Sequence, residues 1–330
     1  MHNDQVLLTS RIRLARNIEG YPYPSTMDRE AARALTEKII DAFEKREDTW
    51  VYHKIQDMAP LQSLYALEEN RISPELMKNK EIGSYLEGPD NEIVMLMEED
   101  HLRIQDMRKG FFLDEEYENV ASIAGDLEER LPVSYDPVLG YLAACPSNVG
   151  TGLRAGCMMH LPALDTLGME QIQRSITRMG FVLRGIRGEG SKSIGHIYQI
   201  SNERTLGLTE EEFLRRAKSI VAEVAALERI KRKEMYLDHL IELEDMARRS
   251  YGILRNARII GFEEVMFHLS HMKLGIELSV LDPKRDFDLY DAMIRLGKAH
   301  LQMERGSFLD DRSSNIYRAN TVRKFIKEVF

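Results

Sequence analysis

The 330-residue sequence is poor in cysteine, in long apolar runs and in net positive charge, and each lack removes a class of function. Cys145 and Cys157 are its only cysteines, too few for a disulfide framework or a four-thiolate metal site. The expected address is a reducing cytoplasm. No stretch approaches about 18 consecutive apolar residues, so no membrane-spanning helix is expected. The opening Met1-His2-Asn3-Asp4 has neither the basic flank nor the apolar core of a secretion signal. With 45 Lys+Arg against 54 Asp+Glu, the formal charge of −9 argues against a dedicated nucleic-acid binder. Lysine is the scarcer cation, 15 against 30 arginines. Arginine is preferred where a planar fork must grip phosphate or carboxylate, although codon usage alone also produces such a ratio.

The length suits about two domains of ~150 residues each. An apolar run, Val6-Leu7-Leu8, leads into Ser10-Arg11-Ile12-Arg13. Asp28–Glu47 reads as a helix with Leu35, Ile39, Ile40 and Phe43 on one face, and another starts at Pro60. Strands are expected at Glu92–Met97, Leu102–Met107, Tyr141–Cys145, Cys157–Leu161, Phe181–Leu183 and Ile194–Ile200, with helices at Leu113–Leu131 and Glu170–Met179. Strands and helices do not alternate strictly, so an antiparallel or mixed sheet in an α+β arrangement is expected. From Thr209, a cap candidate followed by Glu210-Glu211-Glu212, the period is helical almost throughout, with further helices near 234–256, 261–272, 287–304 and 316–329. Residue 232 is the expected boundary between a sheet-containing domain, 1–232, and an all-α domain, 233–330.

Four segments of the first part share arginine, glycine and carboxylate. Alternation on a strand puts Arg11 and Arg13 on one face, a possible polyphosphate clamp or a solvated edge. Glu98-Glu99-Asp100-His101-Leu102-Arg103 sets three carboxylates on a short turn, where they repel unless a cation, substrate or solvent meets them. One histidine beside them is thin support for a metal site, and none is expected. Cys145–Gly156 ends in a glycine-rich turn whose backbone N–H groups can face an anion, although its G-x-G-x-x-x-G spacing misses the dinucleotide fingerprint by one residue. Arg184-Gly185-Ile186-Arg187-Gly188-Glu189-Gly190 is followed by Ser191 and fails the P-loop template, yet reads as a loop able to close over a ligand. Phosphoryl transfer needs such parts: cations on phosphates, a closing loop, and carboxylates for the nucleophile.

Together the four segments resemble the ATP:guanidino phosphotransferases, the family of creatine and arginine kinases, and within it the bacterial branch that phosphorylates arginine residues of proteins. The resemblance runs from about Gln5 to residue 232, and a helical extension typical of that branch covers the rest. It implies an antiparallel sheet flanked by helices, followed by an all-α dimerisation and regulatory domain. It also implies an ATP site lined by Thr9, Ser10, Arg11, Ile12, Arg13, Arg103, Arg154, Ala155, Gly156, Cys157, Met158, Arg184, Gly185, Ile186, Arg187, Gly188 and Glu189, with Mg²⁺ accompanying the nucleotide. Glu99 matches the family's catalytic carboxylate, Glu189 the second carboxylate on the closing loop, and Cys145 the reactive cysteine beside the guanidinium. A guanidinium, with a pKa above ~12, is protonated at neutral pH and is no nucleophile until a carboxylate orients it and accepts a proton.

The chain departs from the family pattern in places. Met97 stands where the motif usually has Asn, and Asn70 falls where the branch carries a nucleotide-contacting His. The branch's phosphoarginine-binding Arg-Asp-x-x-Arg-Ala reads Ser314-Asn315-Ile316-Tyr317-Arg318-Ala319, a degenerate pocket retaining Arg318 and Ala319. The all-helical domain that precedes the Ser-x-Arg-x-Arg segment in small-substrate kinases does not fit before Thr9, which suits an acceptor presented by a protein chain. The resemblance further implies arginine-bearing protein substrates, a zinc-binding activator protein, delivery to a Clp protease, and a homodimer, with no nucleic-acid or membrane partner. A kinase of a free guanidino metabolite and a non-catalytic adaptor with a vestigial ATP site remain the alternatives.

Overall fold

The computed structural model describes residues 5–185 and 193–330. In chain order the elements are β1 (Leu7–Arg16), α1 (Arg29–Phe43), β2 (Val51–Lys54), α2 (Pro60–Glu68), α3 (Pro74–Lys78), β3 (Ser84–Glu87), β4 (Ile93–Leu96), β5 (Leu102–Lys109), α4 (Leu113–Glu128), β6 (Tyr135–Asp136), β7 (Gly140–Tyr141), β8 (Leu153–His160), α5 (Pro162–Leu167), α6 (Met169–Arg178), β9 (Phe181–Gly185) and β10 (Ile197–Asn202). Helices then follow without further strands: α7 (Glu210–Asp238), α8 (Leu240–Asn256), α9 (Phe262–Glu277), α10 (Leu289–Arg295), α11 (Lys298–Arg305) and α12 (Asp311–Val329). Eight strands form one sheet in the order β2-β3-β4-β5-β1-β8-β10-β9. The pairs β2–β3, β3–β4, β4–β5 and β5–β1 are antiparallel. The expected α+β class, an antiparallel sheet with flanking helices and a helical C-terminal part, is what the chain adopts.

Local chemistry explains where several helices begin. Asp28 accepts from the Ala31 N–H at 2.8 Å and Asp310 from the Ser313 N–H at 2.6 Å, each satisfying a donor that a helix start leaves open. Thr209 forms a reciprocal capping box: its hydroxyl accepts from the Glu212 N–H at 3.2 Å, and the Glu212 carboxylate accepts from the Thr209 N–H at 3.1 Å. α7 then runs unbroken from Glu210 to Asp238, so residue 232 lies inside a helix.

Four element expectations need correction, the first being the helix near 234–256, which is the end of α7 and then α8, parted at the non-helical His239. The strand expected at Tyr141–Cys145 is only Gly140–Tyr141, because the Leu142 N–H goes to the Ser134 carbonyl and the Ala144 N–H to the Asp100 carboxylate, after which Pro146 opens a short 3-10 turn. The strand expected from Ile194 begins at Ile197, since Gly195 and His196 turn the chain with φ of 59° and 53°. The single helix expected over 287–304 is α10 and α11, parted at Gly297, which is extended at ψ 154° and opens the second helix.

The chain divides into two compact units. One comprises 9–156 with 201–219. In it α4 packs on β5 and α1 on α4, burying Leu35, Ile39, Val120, Ile123 and Leu127 with Ile12 and Leu14 of β1. The β1–β5 register sorts these strands into two faces. Ala15 opposite Arg103 and Arg13 opposite Gln105 lie on one face, Ile12 opposite Asp106 and Ser10 opposite Arg108 on the other. A separate cluster of Ile55, Ala66, Ile72, Leu76, Tyr85, Ile93 and Met95 forms under α2 and α3. The second unit comprises the residues up to 8, 157–200 and 220–330. There α8 packs on α9 and α12 on α8 and α11, around Leu243, Ala247, Leu269, Met272 and Val322. Leu237 and Ile241 are left 66% and 78% exposed at the α7–α8 corner. Among the described residues no helix is long and apolar enough to cross a membrane.

Candidate active site

The β4–β5 turn separates its three adjacent carboxylates by environment. It is closed by Met97 N–H to His101 O at 3.0 Å and Glu98 N–H to Asp100 O at 3.1 Å. Met97 takes φ 58°, the left-handed conformation that asparagine adopts more readily than methionine. Glu98 is buried, accepting from the Ser73 hydroxyl at 2.5 Å and from the Glu99 N–H at 3.0 Å and pairing with Arg103. Burial by itself would raise its pKa, but Arg103, Ser73 and the Glu99 N–H hold it below the usual carboxylate range. Asp100 is also buried and accepts from Asn17 Nδ2 and the Ala144 N–H, both at 2.7 Å, yet burial pushes its pKa up. Glu99, between them, is exposed at the tip. Partial desolvation and the neighbouring Asp100, Glu98 and Glu75 raise its pKa, so the one carboxylate of the three that is open to solvent is also a stronger base than an isolated glutamate. His101 uses both ring nitrogens within the fold. Nδ1 accepts from the Ile18 N–H at 2.9 Å and Nε2 faces the Pro22 carbonyl at 2.8 Å, so the neutral ring is structural.

Beside this turn lies a concentration of guanidinium groups. Arg11, Arg13 and Arg103 share a face of the β1–β5 pair, and Arg154 stands on β8. Arg13 makes no hydrogen bond or ion pair among the described residues. Burial first, then Arg11, Arg103 and Arg154, drive its pKa well below the usual arginine value, with Glu98 opposing. An arginine does not discharge at neutral pH, so the direction of this shift marks a spot that favours an anion. Arg103 Nε is buried with no hydrogen-bond partner among the described residues, a second donor awaiting an acceptor. Arg154 is aimed by the 3-10 turn: Nε donates to Asn148 Oδ1 at 2.9 Å and Nη2 to Ser147 Oγ at 2.7 Å.

That turn also joins the carboxylates to Cys145. Asn148 Nδ2 reaches Asp100 at 3.5 Å, and the half-buried Cys145 lies with Sγ 3.1 Å from Ser147 Oγ. One network therefore places Glu99, Arg154 and Cys145 together. Sequence reading did not pick out its organisers Asn17, Ser73, Ser147 and Asn148, because nothing in their residue type signals contacts that span from six residues, Asn148 to Arg154, to eighty-three, Asn17 to Asp100. The glycine-rich turn does different work from that expected. The Gly150 N–H goes to Tyr141 O at 3.1 Å and the Thr151 N–H to Thr205 O at 3.0 Å, so neither faces an anion. Gly150 has φ 116°, and a Cβ there would sit 2.4 Å from the Thr205 carbonyl oxygen.

The remaining predicted residues divide. Thr9, Ser10, Ile12, Ala155, Gly156 and Cys157 are buried, and Ser10 faces α4 with its hydroxyl on Glu116 at 2.8 Å. Met158 and Arg184 are half-buried on β8 and β9, and Gly185 is buried. Ile186, Arg187, Gly188 and Glu189 lie outside the described residues. In the helical part Arg318 is buried with Nε on the Leu296 carbonyl at 2.9 Å and Nη1 on the Ile260 carbonyl at 3.2 Å and on Asn315 Oδ1 at 2.5 Å. Ser314 and Ala319 are buried beside it. The described residues hold no cluster of three or more His, Cys, Asp or Glu for a metal ion.

Fold and site together define a phosphotransferase class. Residues 32–231 match the family model "ATP:guanido phosphotransferase, C-terminal catalytic domain". Lombricine kinase, a solved structure, superposes with a TM-score of 0.61 at 25% identity, over 72% of this chain and 70% of its own. The duplicated taurocyamine kinase from Schistosoma mansoni gives 0.62 at 24% identity, over 76% of this chain and 39% of that chain, a likeness of fold. Residues 240–329 match "Protein-arginine kinase McsB C-terminal domain". The protein-arginine kinase of Bacillus subtilis (strain 168) is 38% identical over 97% of this chain and 89% of its own length. That of Clostridium tetani is 35% identical over 99% and 97%. The chain belongs to the protein-arginine kinase family of ATP:guanido phosphotransferases. It is an enzyme, and its family implies the use of ATP.

Proposed function

We propose that the chain transfers the γ-phosphoryl group of ATP to arginine guanidinium groups in proteins. The observation that carries this reading is the juxtaposition of two opposite demands: four guanidinium groups gathered around Arg13, with Glu98 as the one carboxylate acting on it, and beside them an exposed carboxylate of raised pKa. Arg11, Arg13, Arg103 and Arg154 fit the phosphates of a nucleotide, the buried unpartnered Nε of Arg103 included. Glu99 holds the acceptor guanidinium and takes its proton as nitrogen bonds to the γ-phosphorus and the bond to the ADP oxygen breaks. Glu189 is assigned as the second carboxylate on the closing loop, with Arg184 and Arg187 as further phosphate ligands, and Cys145 as a neighbour of the acceptor. Mg²⁺, arriving on the nucleotide phosphates, supplies neutralisation of their charge. The net charge of −9 favours encounter with basic, arginine-bearing segments.

The assignment extends to organisation. The catalytic domain is taken as 1–232 and the helical domain as 233–330, a division supported by family matches ending at 231 and beginning at 240. Cytoplasmic location, a homodimer, a zinc-binding activator and marking of targets for a Clp protease belong to the same reading. In the degenerate pocket the donors of Arg318 already meet two carbonyls and Asn315, which speaks for a structural use of that arginine. Mass spectrometry under non-acidic conditions, with protein and free arginine as competing acceptors, tests the function. Phosphoarginine in protein is expected. Phosphoserine or phosphotyrosine, or transfer to free arginine alone, overturns it.

A further inference from the structure

Behind the arginine face, on the opposite side of the same two strands, lies a second polar cluster with an unusual feature. Glu116 of α4 is fully buried, and its Oε1 accepts from Ser10 Oγ at 2.8 Å and from the Arg108 N–H at 2.9 Å. Ser10 Oγ in turn accepts from the Phe112 N–H at 2.8 Å. One hydroxyl thus ties β1 to the start of α4, in the residue immediately before Arg11. Asp106 faces Glu116 from β5, and its Oδ2 accepts from Arg108 Nε at 3.2 Å, Arg108 Nη2 at 3.0 Å and Asn119 Nδ2 at 2.9 Å. Glu92 completes the surroundings, receiving Asn119 Nδ2 at 3.4 Å. Glu116 Oε2 and Asp106 Oδ1 are both buried without a hydrogen-bond partner among the described residues.

The cluster therefore has three carboxyl groups, Glu92, Asp106 and Glu116, and one guanidinium, and that guanidinium sits on Asp106. Two buried anions side by side with one counter-ion are costly, and protonating one of them is the cheaper state. The hydrogen-bond pattern selects which. Asp106 Oδ2 takes three donors, as an ionised carboxylate does, whereas Glu116 takes no side-chain cation at all. We propose that Glu116 is a positioning residue for the nucleotide-binding strand, acting through Ser10 as a neutral carboxylic acid. Burial first, with Asp106 adding to it, pushes its pKa up to about 8.

Loss of the Oε2 proton to solvent above that pH places a second charge beside Asp106, and the repulsion between the two buried carboxylates, which the donors from Ser10 and Arg108 offset only in part, loosens the packing of α4 on β5 to which Ser10 is tied. The strand that carries Arg11 and Arg13 then loses its fixed position. Glu116 touches no substrate, so the consequence is weaker nucleotide binding rather than a slower chemical step. The same ionisation bears on stability. A carboxyl raised from 4.5 to about 8 on folding contributes stability that is complete below 4.5 and is lost as pH rises through about 8.

This inference rests on the nucleotide-binding part of the proposed function. Its test is the Kd of Mg-ADP, by calorimetry on the full chain from pH 7 to 9, in wild type and Glu116→Gln. The amide keeps the acceptor for Ser10 and presents a donor where Oε2 lies, without a charge. Wild-type affinity is expected to fall about tenfold across that range, and the Gln variant to change less than about twofold. Glu116→Ala, which removes the tie altogether, is expected to bind weakly at every pH. An equal alkaline loss in the Gln variant overturns the proposal, as does a carboxyl ¹³C resonance of Glu116 titrating near 4.5. Normal Mg-ADP binding without transfer to protein arginine overturns the proposed function alone. Absence of Mg-ADP binding overturns both.

Discussion

Arg13 and Arg16 lie three residues apart on one strand and have opposite electrostatic fates. Arg16 is buried with Nε on Glu128 at 2.8 Å and Nη1 on the Thr151 carbonyl at 2.9 Å, and its guanidinium lies 3.4 Å above the Tyr141 ring. Each of those contacts joins elements of the fold. Arg13, one pleat back and on the other face, has arginines for company and no hydrogen bond among the described residues. An odd spacing along a strand is enough to separate them. The difference separates a satisfied, structural arginine from one whose surroundings are mostly cationic, the property that the proposed nucleotide site requires.

The largest break in this picture is expected at the carboxylate that the arginine face serves. Glu99→Gln should lower phosphoryl transfer by about 10³-fold, with the Kd for nucleotide changed less than about threefold. Stopped transfer accompanied by lost nucleotide binding would place Glu99 in the phosphate site instead. Next in size, Arg16→Ala should destabilise the fold by ~2–4 kcal/mol, because it removes a buried side chain that bonds Glu128 and the Thr151 carbonyl and packs on the Tyr141 ring. Denaturant unfolding measures this, and a change below about 0.5 kcal/mol would erase the contrast between the two arginines.

Arg13→Ala should do the reverse, weakening nucleotide binding about 10- to 100-fold while leaving the unfolding midpoint unchanged or higher, since repulsion among four cations is reduced. A clear loss of stability would show that Arg13 also ties the fold together. The smallest effect is expected at Met97. Asparagine relieves the left-handed backbone, worth roughly 1–2 kcal/mol, but gives up a fully buried methionine side chain of similar worth. Met97→Asn should therefore shift stability by less than about 1 kcal/mol in either direction.

Much of the fold was legible because its signals are local. The Thr209 cap, the acidic first turn of α4 and the apolar period of α1 each depend on neighbours within a turn or two, so residue order suffices. Tyr141–Cys145 was misread as a strand for the opposite reason. Its composition suits a strand, but the Ala144 N–H is taken by Asp100, forty-four residues earlier. The expected single helix over 287–304 passes over Gly297, whose poor helix propensity favours the break there. In the site, the arginines and carboxylates were visible as residue types, whereas Ser73, Asn17 and Asn148, which fix them, look like ordinary polar residues until the chain brings them there.

The sequence by itself determined the chemical inventory: paired arginines on a strand, a carboxylate triplet on a turn, a cysteine before a glycine-rich bend, and a helical C-terminal part. Those follow from residue type and short-range period. Only the tertiary structure decided that Glu99, rather than Glu98 or Asp100, remains open to solvent, that Arg13, unlike Arg16, makes no hydrogen bond or ion pair among the described residues, and that Glu116 sits without a paired cation among them. Ionisation and availability depend on burial and on partners distant in the chain, and a one-dimensional order of residues does not contain those distances.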